Sequence, residues 1–249
     1  MARYKSLFKI EGTLDDVNFY KTEDGYRVRT KGGVSKDRIK KDPAFQRTRE
    51  NNSEFGLAAS SGKLLRRAII DLVANAKDSK LASRLTQVMS QVKNADTTSP
   101  RGKRNVAVGI QSPEGKRPLN GFDFNRKSSV SEVLLSDFNL NTTSGEISMT
   151  NFIPDQHLLF PEGATHVEFS CGFLNLDFDS GVKDMQLSNV VNAPINGTAT
   201  TVTLTPAAPA AGTGQAFYLF KIAFYQEINN VQYPLKNGTF NALQIVEVL

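Results

Sequence analysis

Apolar positions recur along this chain with two different periods, and the change between them divides it. From Lys63 onward Leu64, Leu65, Ala68, Ile69, Leu72, Val73 and Ala76 return at three- and four-residue steps, with Arg66, Arg67, Asp71 and Asn75 between them. That is the spacing of an amphipathic helix. Beyond Asp78, placed as a cap, Leu81, Leu85, Val88, Met89 and Val92 form a second stripe. Two helices joined by a short turn are predicted to pack as an antiparallel hairpin. Asp42-Pro43 marks an earlier helix start, with Asp as N-cap and Pro at the first helical position. The stretch that follows, 43–59, is polar and carries Asn51-Asn52 and Gly56, so its helical pattern is weaker.

Elsewhere the period is two. Leu14–Tyr20 and Tyr26–Thr30 flank Asp24-Gly25, a hairpin turn signal because Gly takes positive φ without a Cβ clash. Alternation puts Arg27, Arg29 and Lys31 on one face of the second strand and Tyr26, Val28 and Thr30 on the other. After residue 128, alternating segments are predicted at 130–138, 145–153, 165–178, 184–191, 198–205, 215–227 and 240–248. Turns rich in Asn, Gly, Pro and Ser separate them, and Pro206–Gly214 reads as an exposed loop. The expected fold is α+β: an N-terminal β-hairpin and helical region, then a C-terminal antiparallel β-sandwich. The expected divisions are 1–41 as a hairpin arm, 42–127 as a basic helical region with a polar connector over 94–120, and 128–249 as an acidic sandwich domain.

Charge sharpens this division. Residues 1–127 hold 27 Lys and Arg against 14 Asp and Glu, a net of +13, whereas residues 128–249 hold 3 against 11, a net of −8. Such asymmetry points to a polyanion or to a protein of opposite charge. A second copy of the same chain is itself such a protein, meeting the first head to tail. A content of 39% hydrophobic and 22% charged residues is that of a folded globular protein. No segment approaches the ~18 consecutive apolar residues of a membrane span. The run Met1–Ile10 is broken by charges and lacks the ~7–15-residue apolar core of a secretory signal. Cytoplasmic synthesis is therefore expected, for a protein that stays there or enters a released particle.

Candidate chemistry is sparse. The chain has two histidines, His157 and His166, and one cysteine, Cys171, too few for a zinc site. Cys171 lies in an alternating run and reads as a packed small residue. Asp177, Asp179 and Asp184 form an acidic cluster that loosely resembles a calcium loop but lacks the downstream bidentate Glu, and a solvated turn is the plainer reading. Ser170 precedes Gly172 without the context of a nucleophile elbow. Lys31-Gly32-Gly33 lacks the spacing of a phosphate loop. No catalytic set, metal, cofactor or small-molecule substrate is expected. The densest feature is basic: Arg27, Arg29, Lys31, Lys36, Arg38, Lys40, Lys41, Arg47 and Arg49 fall within 23 positions. Such density attracts phosphate, but stacking aromatics are few there and no nucleic-acid-binding signature is present. Arg27, Arg29, Lys31, Arg47 and Arg49 are the candidate interface or polyanion-binding residues, with Asp177, Asp179 and Asp184 as the acidic counter-surface.

One resemblance bears on this. Ile10-Glu11-Gly12-Thr13-Leu14, Phe19-Tyr20-Lys21, Asp24-Gly25-Tyr26, Arg29–Ser35 and Asp42–Asn51, with Tyr225-Gln226-Glu227 and Tyr233–Gly238 near the end, resemble a family of uncharacterised Bacteroidota proteins. The resemblance covers most of the chain and implies no activity or site residues. A broader set of similar proteins shares the hairpin, the Arg-Thr motif and a C-terminal β region, an architecture found in assembled and surface-array proteins. The leading expectation is a non-enzymatic structural subunit that self-assembles into a tube, filament, sheath or shell, a phage-derived particle among them, through an N-terminal arm and charge complementarity. The alternative is a nucleic-acid-binding or genome-facing virion protein that uses the basic half. An enzyme with an unrecognised site is the third class.

Overall fold

The computed structural model describes residues 2–3 and 8–249. Met1 and Tyr4–Leu7, at the start of the expected arm, lie outside the described residues. The chain divides into two compact units, Met1–Arg49 and Glu50–Leu249.

In the first unit β1 (Ala2–Arg3), β2 (Gly12–Leu14), β3 (Val17–Thr22) and β4 (Gly25–Thr30) form an antiparallel sheet in the order β1-β4-β3-β2. The predicted hairpin at Asp24-Gly25 is present, with Thr22 opposite Gly25 and Gly25 at φ 112°. The predicted strand over Leu14–Tyr20 is two strands. Asp15 sits at φ 53°, so the chain reverses at Asp15-Asp16 and Leu14 pairs with Val17; Asp tolerates the left-handed region better than most residues. The register places Leu14, Val17, Phe19, Tyr26 and Val28 on one face, and Asn18, Tyr20, Arg27 and Arg29 on the other. Helix α1 (Lys36–Lys41) follows, with Ser35 accepting the Arg38 N–H at its start. Asp42 caps a 3-10 turn over Pro43–Phe45 by accepting the Ala44 N–H at 2.9 Å. No residue from 8 to 49 is buried.

Asp42-Pro43 begins the 3-10 turn rather than the α-helix itself; helix α2 (Gln46–Ala68) follows it directly and runs unbroken through Asn51-Asn52 and Gly56. Its buried residues Glu54, Ala58, Gly62, Leu65 and Ala68 make one stripe. Helices α3 (Ile70–Val73) and α4 (Leu81–Asn94) follow, the latter burying Leu81, Leu85, Met89 and Val92 as the periodicity required. Asp78 binds the Lys80 N–H but is not itself the cap, which is Lys80. The expected connector contains two short helices, α5 (Val106–Gly109) and α6 (Pro113–Lys116), and buries Val106, Ile110 and Leu119.

The predicted strand over 130–138 is a correction. Val130–Val133 is a short helix, α7, because Ser129 accepts the Glu132 N–H and Asp123 accepts that of Val130. The remaining elements are β5 (Asn139–Leu140), β6 (Ile147–Phe152), α8 (Pro154–His157), β7 (His166–Leu176), β8 (Lys183–Leu187), β9 (Val191–Pro194), β10 (Thr200–Leu204), β11 (Gln215–Ile228), β12 (Val231–Pro234) and β13 (Ala242–Val248). The predicted segment 184–191 is broken where Ser188 Oγ accepts the Cys171 N–H, so β8 and β9 pair β7 separately. Strand β12, which the pattern did not mark, returns from β11 through Asn229 and Asn230, both at positive φ.

Long strands β7 and β11 are the centre of a six-stranded antiparallel sheet, with β8 and β9 beside β7 and β12 and β13 beside β11. A three-stranded sheet has the order β10-β6-β5. Along β7, Val167, Phe169 and Cys171 join a core with Ile147, Met149, Phe152, Val202 and Leu204 of the small sheet. Leu174 and Leu176 instead join the helical residues Leu65, Leu72, Leu85, Met89 and Ile110. A register shift opposite Tyr218/Leu219 leaves an extra residue in β13, so Ile245 and Val248, three apart, both reach the helix-side core. The α+β class holds. The helices share a core with one face of the larger sheet, and the expected boundary at 127/128 falls inside the unit Glu50–Leu249.

Candidate docking surfaces

The five basic candidates separate once their side chains have places. Arg27 and Arg29 alternate on β4 and share a face with Tyr20 and Asn18. Arg27 pairs with Asp24 at 3.1 Å, and the Arg29 guanidinium lies 5.5 Å from the centre of the Tyr20 ring. Arg49 points back into its own unit. Its Nη1 donates to the carbonyls of Ile39 at 2.7 Å and Asp42 at 2.9 Å, closing the end of α1. Lys31 and Arg47 are exposed and form no ion pair among the described residues. Lys36, Lys40 and Lys41 on α1 share that condition, whereas Arg38 is held by Asp42 at 3.2 Å and covers the Phe45 ring. The available cations of this unit therefore centre on α1 and its flanks.

The acidic candidates are more tightly engaged. Asp177 accepts the Asp179 N–H at 2.8 Å on one oxygen and the Ser180 hydroxyl at 2.6 Å on the other. The Ser180 hydroxyl, then the Asp179 N–H, hold its carboxyl below the usual range. Asp184 accepts from Gln186 Nε2 and from the Ala211 N–H, each at 2.7 Å, and so ties the 206–214 loop to β8. These contacts secure a hairpin and a loop, and leave Asp179 as the member with neither role. Asp177 and Asp179 border an open cleft of about 580 Å³ with Thr97, Thr98, Asn105 and Gln111. Among the described residues, no group of three or more His, Cys, Asp or Glu is arranged to hold a metal ion. No helix of the described residues is long and apolar enough to cross a membrane.

The strongest electrostatic feature of the second unit escaped the sequence pattern. Glu54, 1% exposed in the middle of α2, accepts Arg104 Nε at 2.9 Å and Nη2 at 2.7 Å, the Gly102 N–H at 2.8 Å, and Lys93 Nζ. Arg104 foremost, with Lys93 and the Gly102 amide, overcomes the burial penalty and lowers its pKa to about 2. Nearby Asp96 is also buried; burial acts against its ionisation, yet N–H donors from Ser99, Asn105 and Thr98 bring its pKa to about 2. Asp96 thus folds residues 96–105 on themselves, and Glu54 ties that segment to α2 and, through Lys93, to α4. Arg101 adds a more exposed pair with Glu50 at 3.1 Å.

Asp123 has the opposite shift. Burial, reinforced by Glu132, raises its carboxyl to about 6 against the opposing N–H of Val130, Gln244 and the charge of Arg84. It borders a cavity of about 510 Å³ with Arg84, Phe122, Arg126 and Glu132. Cys171 is fully buried with its thiol pKa raised by that burial, as a packing residue would be. His157 Nδ1 accepts the Ile153 N–H at 3.0 Å, and His166 Nε2 lies 3.5 Å from Glu227.

Apolar side chains also reach solvent together. Leu134 and Leu158 face each other across an isolated bridge and are buried, so the next positions point outward. The Leu135 N–H donates to His157 O at 2.9 Å and the Leu159 N–H to Val133 O at 2.8 Å. This pairing puts Leu135, 56% exposed, and Leu159, 60% exposed, on one outer face, followed by Phe160 at 41%. Comparison with protein-family models, with curated proteins and with solved structures returned no match.

Proposed function

We propose that this chain is a non-enzymatic structural subunit that assembles with copies of itself, with the N-terminal unit of one copy docking on the next. The observation that carries this reading is that a four-stranded sheet and its helix contain no buried residue from 8 to 49. A small sheet is stable when its hydrophobic face is covered, and a unit of this size without a core needs an added constraint or a partner. The net charge of +13 over residues 1–127 and −8 over 128–249 favours an acidic surface of the same protein as that partner. Tube, filament, sheath or shell are all geometries that a head-to-tail contact builds, according to whether its rotation closes.

Sedimentation velocity and light scattering test the reading. The 27.4 kDa chain is expected to form larger species at micromolar concentration. A chain lacking residues 1–49 is expected to keep the fold of Glu50–Leu249, which has its own two cores, and to remain monomeric. A full-length chain that stays monomeric at low and physiological salt defeats the reading.

A second reading has one specific support. Arg29 over Tyr20, with Arg27 and Asn18 on the same sheet face, is the combination of cation and ring on which single strands stack. It requires nucleic-acid binding whose affinity falls steeply with salt, lost on Tyr20→Ala and Arg29→Glu.

A further inference from the structure

We propose that the acceptor for the N-terminal unit is the face of a second copy formed by Leu135 and Leu159, next to the exposed Phe160, and that residues 31–47 are the segment that covers it. The inference rests on the self-assembly reading and names its interface.

The acceptor is apolar at its centre and acidic around it. Leu135, Leu159 and Phe160 are each 41–60% exposed although the adjoining Leu134 and Leu158 are buried at 7% and 3%. Contiguous apolar side chains rimmed by charge mark interaction sites more often than scattered ones. Glu132, Asp137 and Glu162 flank these residues in the chain and are all exposed. No Lys or Arg occurs from residue 128 to 182, a span holding eight Asp and Glu. Arg126 and Glu132 line one cavity together.

The proposed occupant has the inverse pattern. Residues 31–47 carry six Lys and Arg against two Asp. Val34 is 41% exposed between Lys31 and Lys36, and Lys40, Lys41 and Arg47 extend from the following helix and turn. An exposed aliphatic residue among lysines that form no ion pair among the described residues thus meets exposed aliphatic residues among carboxylates. Charge of this kind speeds encounter and fixes register, while the apolar centre supplies area. The acidic counter-surface therefore moves from Asp177, Asp179 and Asp184, of which Asp177 and Asp184 are tied into a hairpin and a loop, to Asp137 and Glu162 beside the apolar face.

Two experiments test this. In the first, chains carrying Val34→Cys are mixed with chains carrying Leu159→Cys under mild oxidation. Native Cys171 is fully buried, so it contributes no background. A disulfide-linked dimer from the mixture, and from neither variant alone, is the expected result. In the second, Asp137→Lys with Glu162→Lys is expected to raise the concentration needed for assembly about tenfold, and adding Lys40→Glu with Lys41→Glu to the same chain is expected to restore much of it. Circular dichroism establishes that each variant is folded, and the cross-link stands as an independent readout where one is not. A wild-type chain that assembles while showing neither effect overturns this interface and leaves self-assembly intact. A wild-type chain that remains at 27.4 kDa overturns both. Capture of a single-stranded oligonucleotide by Lys40 and Lys41, with assembly unchanged by their reversal, also overturns the interface.

Discussion

Replacing Glu54 by Gln should destabilise the second unit more than any other isosteric change in α2. Gln keeps the shape and one acceptor oxygen, but leaves Arg104 and Lys93 facing each other without the anion that holds them together. The Lys93 side chain is 11% exposed and that of Arg104 31%, so water screens this pair poorly. Two independent routes give the magnitude. The fall of the Glu54 pKa from its ordinary 4.5 to about 2 corresponds to about 3 kcal/mol of preference for the ionised form in the folded state. Removing one partner of a buried pair costs about 3–5 kcal/mol in general. For a unit of this length each kcal/mol lowers the unfolding midpoint by about 2–4 °C, so Glu54→Gln should lower it by about 6–12 °C at pH 7. The pH dependence has a definite sign. A depressed carboxylate pKa contributes stability above the unfolded value, and that stability is lost as pH falls from about 4.5 towards 2. Wild type should therefore lose stability through that window more steeply than the Gln variant. Thermal unfolding followed by circular dichroism, repeated from pH 7 to pH 2, reads both effects. Hydrogen exchange at the Gly102 amide, which donates to Glu54 at 2.8 Å, should quicken with the substitution. Replacing the trio together by Glu54→Leu, Lys93→Met and Arg104→Met should recover most of the loss, since an apolar set of similar volume carries no desolvation penalty. A midpoint within about 2 °C of wild type for Glu54→Gln, with unchanged exchange at Gly102, would mean that Glu54 does not hold Arg104 and Lys93 in the folded state.

Gly109→Ala should cost more than about 2 kcal/mol, because the added Cβ would stand 2.1 Å from the backbone oxygen of Val92 and α5 could not stay seated on α4. Its control is Gly56→Ala on the exposed side of α2, where nothing lies within 4 Å; that change should stabilise by about 0.5–1 kcal/mol in denaturant unfolding, and equal effects at the two glycines would contradict the packing argument. Asp123 carries the opposite pH signature from Glu54. With its folded pKa raised from 3.8 to about 6, its contribution is most favourable below 3.8 and is lost as pH rises through 6. Asp123→Asn should therefore match wild type near pH 4 and exceed it by up to about 1 kcal/mol above pH 7, a figure discounted because the side chain is only partly buried; a difference that does not vary with pH would count against it.

How far these features could be read in advance depends on how local their causes are. The stripe of α4 and the turn at Asp24-Gly25 follow from neighbours in the chain, and both are present. Alternation in β7 and β11 correctly marked strands, but it did not say that one face would carry the helices and the other a second sheet, since apolar residues are needed on both. The strand read over 130–138 failed because two carboxylate and hydroxyl acceptors, Asp123 and Ser129, capture amides that a strand would need, and Asp123 is itself held by β13.

The charged residues draw the same line. Composition alone determined that the chain is strongly polar end to end, because a count of formal charge needs no coordinates. It could not distinguish Arg47 from Arg49, two residues apart and alike in chemistry, of which only Arg49 is turned onto the carbonyls of Ile39 and Asp42. Nor could it single out Glu54 within a polar stretch, because its partners Lys93 and Arg104 lie 39 and 50 positions away. Net charge, the helical period of α4, the alternation of β7 and β11 and the turn at Asp24-Gly25 were legible from the chain, since each acts over a few residues or over none. Which charges are occupied and which remain for a partner was decided by the tertiary structure, because a hydrogen bond is made by whatever group the fold brings within 3 Å or so, wherever it stands in the chain.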